Sequence, residues 1–108
     1  MFTRVVEIRT KQGKAKELSQ VVNDKVLPLL KKQPGFLDEI SLVSNTDPDQ
    51  GFALSFWKSE SDAEKYNSEQ YANVQQIIAP YLESPPKVRT FEVDTSTVHN
   101  ITRGKAAA

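Results

Sequence analysis

The chain contains no cysteine, which excludes disulfide scaffolds, cysteine-ligated zinc and thiol nucleophiles. It has no excess of either charge, with 14 basic and 14 acidic residues. The only basic concentrations are Lys11, Lys14 and Lys16, and Lys31-Lys32, so no field draws in a phosphate backbone. Nucleic acid is therefore not an expected partner. No apolar run approaches the roughly 20 residues that span a bilayer, and the opening "MFTRVVEIRT" alternates rather than forming a basic-then-apolar leader. No membrane partner is expected, and the location expected is cytoplasmic. The four glycines are scattered, so no phosphate loop is spelled out, and one histidine allows neither a metal constellation nor a recognisable Ser-His-Asp arrangement.

What is present is periodicity. In 108 residues, enough for one core, Phe2 to Thr10 alternates, with Phe2, Val6 and Ile8 opposed to Thr3, Glu7 and Arg9, the mark of a half-buried strand. After "KQGK", Ala15, Leu18, Val22, Val26 and Leu29 repeat at helical spacing. Pro28 predicts a kink or break near Val26-Leu27, and "KKQPGF" ends the helix. Phe36 to Val43 reads as a second strand with Phe36, Ile40 and Leu42 on one face, and "SNTDPDQG" as a hairpin loop. Gly51 to Trp57 is a third strand, with Phe52, Leu54 and Phe56 as the expected floor beneath the helices and Ala53, Ser55 and Trp57 facing away.

Ser59 is placed to cap a helix, with Asp62 three residues on. That helix is expected to end near Asn67, with Ser68 capping a second that carries Tyr71, Val74, Ile78 and Tyr81 and is distorted by Pro80. Lys87 to Asp94 closes as a fourth strand. The order β-α-β-β-α(α)-β predicts an α+β, ferredoxin-like antiparallel β-sheet with its helices on one face. The domain is expected over residues 1–95, and an extended arm and mobile tail over 96–108.

Gly13 to Leu18 ("G-x-A-x-E-L"), "LPLLKKQPGF" from Leu27 to Phe36, a strand ending in Trp57 followed by "KSESDAEKY", and "V-x-x-F-E-V" from Val88 to Val93 occur in this order. Together they resemble the antibiotic-biosynthesis monooxygenase (ABM) family of the dimeric α/β-barrel superfamily, over nearly the whole chain to about Asp94. The resemblance implies a homodimer whose two sheets pack into a closed barrel, and an activity within a group of monooxygenases, haem-degrading enzymes and small-metabolite enzymes. Haem degradation is disfavoured. That branch is expected to carry an asparagine in the first strand, a helical tryptophan and an iron-binding histidine, whereas here the first asparagine is Asn23, Tyr66 stands near the tryptophan's place, and Gln75 or Gln76 near the histidine's.

The leading expectation that the resemblance implies is, if the protein is catalytic, a cofactor-independent monooxygenase, with no cofactor expected, acting on a small aromatic, quinol or polyketide-like molecule held between helices and sheet. The alternatives are a non-catalytic small-molecule-binding or stress-associated module of the same fold, and an oxygen-independent isomerase of the superfamily. The substrate-binding candidates are Trp57, Tyr66, Asn67 and Tyr71; no catalytic residue is assigned. Each has a plain alternative: Trp57 as an interface or barrel-end ring, the tyrosines as core fillers, Asn67 as a helix-ending residue. Glu7, Arg9, Glu39 and Glu92, read on the less apolar sheet face, would form cross-strand pairs or carry protons. His99, alone in a polar arm, is weak evidence for catalysis.

Overall fold

In a computed structural model, which describes residues 1–102 and 105–106, a four-stranded antiparallel sheet in the order β2-β3-β1-β4 carries its helices on one face. Its strands are β1 (Phe2–Arg9), β2 (Phe36–Val43), β3 (Gln50–Trp57) and β4 (Lys87–Glu92). Between β1 and β2 lie α1 (Ala15–Val21), a π-helical segment (Val22–Val26) and α2 (Leu27–Lys31). Between β3 and β4 lie α3 (Glu60–Glu69), α4 (Tyr71–Ile78) and a 3-10 turn (Ala79–Tyr81). The ferredoxin-like order expected from the sequence is the one observed.

The Pro28 break takes a specific form. Proline has no N–H to give the carbonyl four residues back, and the helix widens ahead of it, so that the Leu27 N–H donates to the Val22 carbonyl five residues earlier. Ser59 caps α3 as the sequence foretells: its hydroxyl accepts from the Asp62 N–H at 3.2 Å and donates to the Asp62 carboxylate at 2.9 Å. Ser68 does not cap α4. Its hydroxyl donates instead to the Lys65 carbonyl at 3.2 Å, so α3 runs on to Glu69 and α4 starts directly after Gln70.

The face assignment inferred from the sequence is reversed. Phe2, Arg4, Val6 and Ile8 of β1 stand opposite Trp57, Ser55, Ala53 and Gly51 of β3, and this row lies under the helices with Leu18, Val26, Tyr66, Tyr71, Val74 and Ile78. The small residues of β3 give the helices, which bring their own bulk, room to approach. Phe52, Leu54 and Phe56 therefore lie on the outer face, and Trp57 is in the core, 0% exposed, rather than facing away from the helices. In β2 a register irregularity between Phe36 and Asp38 inserts one residue. Phe36 packs edge-on against Trp57, with ring centroids 5.5 Å apart, while Ile40 and Leu42 pair with Leu54 and Phe52 on the outer face. The outer-face charges are paired, Glu7 across strands with Arg89 at 3.4 Å, and Arg9 with two loop residues, Asp47 at 2.9 Å and Glu83 at 3.3 Å.

The C-terminal arm is not extended throughout. Ser96 and Ile101 exchange backbone hydrogen bonds of 2.8 Å around a turn in which Asn100 has φ 55°, a conformation asparagine tolerates. His99 thereby comes back to the outer face, 6.0 Å from the Phe56 ring and 3.8 Å from the Asp38 carboxylate. Two short strands, β5 (Ile101–Thr102) and β6 (Lys105–Ala106), pair beyond it. The mobile tail expected from "RGKAAA" falls in part outside the described residues.

Gly35, at φ +78°, has the Asp62 side chain where a Cβ would go. Gly35→Ala is expected to destabilise by about 1–3 kcal/mol, and Ser59→Ala by about 1 kcal/mol. Urea unfolding measures both, and the two losses should be non-additive because both substitutions disturb Asp62.

Candidate functional site

A cavity of about 70 Å³ opens between the sheet and the helices. Its walls are largely apolar: Val6, Ile8, Leu18, Val22, Val26, Leu30, Val74 and Ile78. Polar groups enter along one line. Glu39 is the register partner of Ser55, and Ser55 of Arg4, so β2, β3 and β1 each contribute one polar side chain to a single row across the floor. The bulge in β2 turns Glu39 inward and leaves Asp38 on the outer face with Phe56. With neighbouring strands about 4.8 Å apart, Glu39 and Arg4 originate about 10 Å from one another.

Arg4 is the unusual member. It is 2% exposed, and no ion pair joins it to a carboxylate among the described residues. Its Nη1 and Nη2 have no hydrogen-bond partner. Its guanidinium lies over two aromatic rings, 4.4 Å from the centroid of Tyr71 and 5.0 Å from that of Tyr66. Burial lowers its pKa, opposed by the two tyrosines, yet a guanidinium remains protonated at any physiological pH. A cation–π contact contributes on the order of 2 kcal/mol when desolvated, far less than the several kcal/mol that burying a charge costs. The cavity therefore holds a positive charge that the protein leaves largely uncompensated.

Burial pushes Tyr66 up to about 12 and raises Tyr71 as well, with Arg4 opposing both shifts. Both are neutral phenols at pH 7, and the Tyr71 hydroxyl is buried without a partner. Glu39 is raised above the ordinary carboxylate value by burial, with its 2.8 Å hydrogen bond from Ser41 opposing. Three donor atoms without partners, on Arg4 and Tyr71, thus lie within the wall at one end of a cavity whose other end carries a carboxylate with increased proton affinity.

Of the four candidates read from the sequence, Tyr66 and Tyr71 line this cavity. Trp57 stands behind Tyr66, its ring stacked at 5.0 Å and its indole N–H donating to the Ser55 hydroxyl at 2.9 Å. It positions two lining residues from within the core. Asn67 is exposed and borders a separate surface depression with Glu60, Glu64 and Thr90. Arg4 was not singled out from the sequence, although its parity with Phe2, Val6 and Ile8 placed it on the buried face. Glu39 was assigned to the other face because the bulge has no sequence signature.

With this geometry in view, the comparisons with known proteins assign the family. The family model described as antibiotic biosynthesis monooxygenase matches residues 1–76, and the chain belongs to that family. Among solved structures it is similar to a monooxygenase from the gene ActVA-Orf6 of Streptomyces coelicolor in complex with the ligand nanaomycin D. That likeness has a TM-score of 0.76 and 20% identity, and covers 88% of this chain and 88% of that one. It is also similar to SnoaB, a cofactor-independent oxygenase from Streptomyces nogalater, at TM-score 0.76 and 13% identity, covering 89% and 95%. A third likeness is to a protein of unknown function from Nitrosomonas europaea, at TM-score 0.74 and 20% identity, covering 89% and 91%. At these identities the structural likeness establishes the fold. No curated protein matches the chain.

Replacing Arg4 by methionine removes the uncompensated charge and nearly keeps the volume. Arg4→Met is expected to raise stability by about 1–4 kcal/mol, read as a higher midpoint in chemical denaturation. A decrease would mean that the guanidinium is satisfied in the resting protein.

Proposed function

We propose that the protein is a cofactor-independent monooxygenase that oxidises a small electron-rich aromatic, of phenol, quinol or anthrone type, in the cavity between helices and sheet. The observation that carries this reading is the placement of a buried, unpartnered Arg4 and a proton-avid Glu39 at opposite ends of one apolar cavity. Family membership, together with a cofactor-independent oxygenase among proteins of the same fold, supports it.

Glu39 takes a proton from the acidic O–H or C–H of the substrate, and the negative charge delocalises through the ring toward the group held by Arg4 and the Tyr71 hydroxyl. The resulting enolate is the reductant. It passes one electron to O₂, and the superoxide and substrate radical combine to form a C–O bond. The peroxide anion so formed takes up the proton from Glu39. Loss of water from the hydroperoxide converts the former C–H carbon to a carbonyl, one oxygen atom remaining in the product. The substrate supplies all four electrons, so the balance closes without an external reductant. The dry walls protect the radical pair from water.

The reaction is testable as oxygen uptake with quinols and anthrones. Glu39→Gln is expected to lower kcat by ~100-fold or more while leaving the fold intact. Because the base must be ionised and burial raises its pKa, kcat/KM should rise with pH through a limb displaced above the ordinary carboxylate range. No protein-dependent uptake on any such substrate would remove the enzyme reading.

The outer sheet face supports a second copy of the chain as partner. It leaves Ile40, Leu42 and Phe91 between 44% and 49% exposed beside Val5, Phe52, Leu54 and Phe56, a contiguous apolar surface of a kind that marks an interaction face. Sedimentation at micromolar concentration should give a dimer, and Leu42→Glu a monomer. A wild-type monomer would overturn the barrel assembly.

A further inference from the structure

We infer that the cavity selects a single-ring aromatic anion, its charged oxygens on Arg4 and a hydroxyl at the opposite end of the ring directed to Glu39. The inference rests on the proposed function for the location of the site and narrows its substrate class by charge, size and orientation.

The charge follows from the floor. Arg4 is almost wholly buried, its two terminal nitrogens lack acceptors, and the neighbouring Tyr71 hydroxyl lacks a partner too. A planar guanidinium fork matches two oxygens of one anionic group. A neutral ligand would leave the charge uncompensated. The surface depression on the other side of Arg4 is bordered by Glu60 and Glu64, which repel an anion from that side. The cavity carries one carboxylate, Glu39, about 10 Å from Arg4 at the backbone, so an anion can lie at its Arg4 end.

The size follows from the space. The cavity of about 70 Å³ shares Ile8, Leu18, Val22 and Ala53 with a second one of about 90 Å³. Joined across those shared side chains they would be comparable to the ~150 Å³ engineered cavity that admits benzene. One ring fits, whereas three fused rings would require α1 and the π-helical segment, which supplies Val22 and Val26 to the wall, to move away from the sheet. The orientation follows from the row Glu39, Ser55, Arg4. Its ends are about 10 Å apart at the backbone, a span that a para-disubstituted ring fills once the two side chains have reached inward.

Trp57, the sole tryptophan, stacks on Tyr66 next to Arg4, and its fluorescence reports occupancy without turnover. Under nitrogen the intact protein would be titrated with 4-hydroxybenzoate, its neutral isostere 4-hydroxybenzamide, 4-nitrophenolate and anthraquinone-2-carboxylate. The expected result is at least tenfold tighter binding of 4-hydroxybenzoate than of the amide, a ratio falling to about one in Arg4→Met and retained in Arg4→Lys, and no saturable binding of the tricyclic acid. Preference for 4-nitrophenolate, which has no hydroxyl for Glu39 and a single phenolate oxygen, over 4-hydroxybenzoate would overturn the assigned orientation. Equal affinity for acid and amide, a ratio unchanged in Arg4→Met, or tighter binding of the tricyclic acid would overturn it. Selective binding without oxygen uptake on any bound substrate would overturn the monooxygenase reading and leave this inference standing.

Discussion

The stack running from Phe36 through Trp57 and Tyr66 to Arg4 and Tyr71 is the contact on which the rest of the molecule depends. Trp57 is fully buried, with Phe36 edge-on at 5.5 Å and Tyr66 stacked at 5.0 Å. Tyr66 and Tyr71 in turn hold the guanidinium within 5.0 Å and 4.4 Å. Aromatic pairs of this kind contribute about 0.5–1.5 kcal/mol beyond their buried area. Their larger effect is positional. They tie the end of β3 to the start of β2 and to α3 and α4, and so fix a cation inside a core that would otherwise exclude it. The energetic consequence is a local instability built into the site, of the kind that a bound anion relieves.

Two faces of one sheet serve different ends for a simple steric reason. Under the helices, β3 presents Gly51, Ala53 and Ser55, and helical side chains fill most but not all of the space above them. On the outside it presents Phe52, Leu54 and Phe56, which no element of the described chain covers in full. The reading of the sequence assigned the bulky row to the interior by hydrophobicity alone. Partner size decides instead: one thick layer of helices needs a thin floor. The C-terminal turn reaches the outer face at Phe56 and Asp38, through His99.

Most of the element order was legible because it is written in local signals. The alternation of Phe2 to Arg9, the Ser59 cap, Pro28 and Pro80 each act within a few residues, and each has its expected consequence. The parts that were not legible are tertiary. Ser68 is an ordinary cap residue in sequence, but continuous helix through Glu69 wins, leaving its hydroxyl to bond back to Lys65. The β2 bulge changes the parity of every residue after it, which moved Ile40 and Leu42 outward and Glu39 inward. In the site, Tyr71 was found by helical spacing, Tyr66 by its apolar body and polar tip on the preceding helix, and Trp57 by its isolation. Arg4 was missed because a charge amid Phe2, Val6 and Ile8 was passed over rather than recognised as an interior cation, although the parity was there to be read. Asn67 is one position beyond Tyr66 and so faces away from the cavity edge that Tyr66 lines.

The central claim is that the Arg4 guanidinium waits for an anionic oxygen. Nitrogen-15 resonances of its side chain, followed by NMR as 4-hydroxybenzoate is added, test this most directly. The account requires the Arg4 Nη signals to move to hydrogen-bonded values and their rotation about the Nε–Cζ bond to slow, in step with saturation. Saturation with those signals unchanged, while amides around Glu60, Glu64 and Asn67 respond, would place the ligand elsewhere and contradict it.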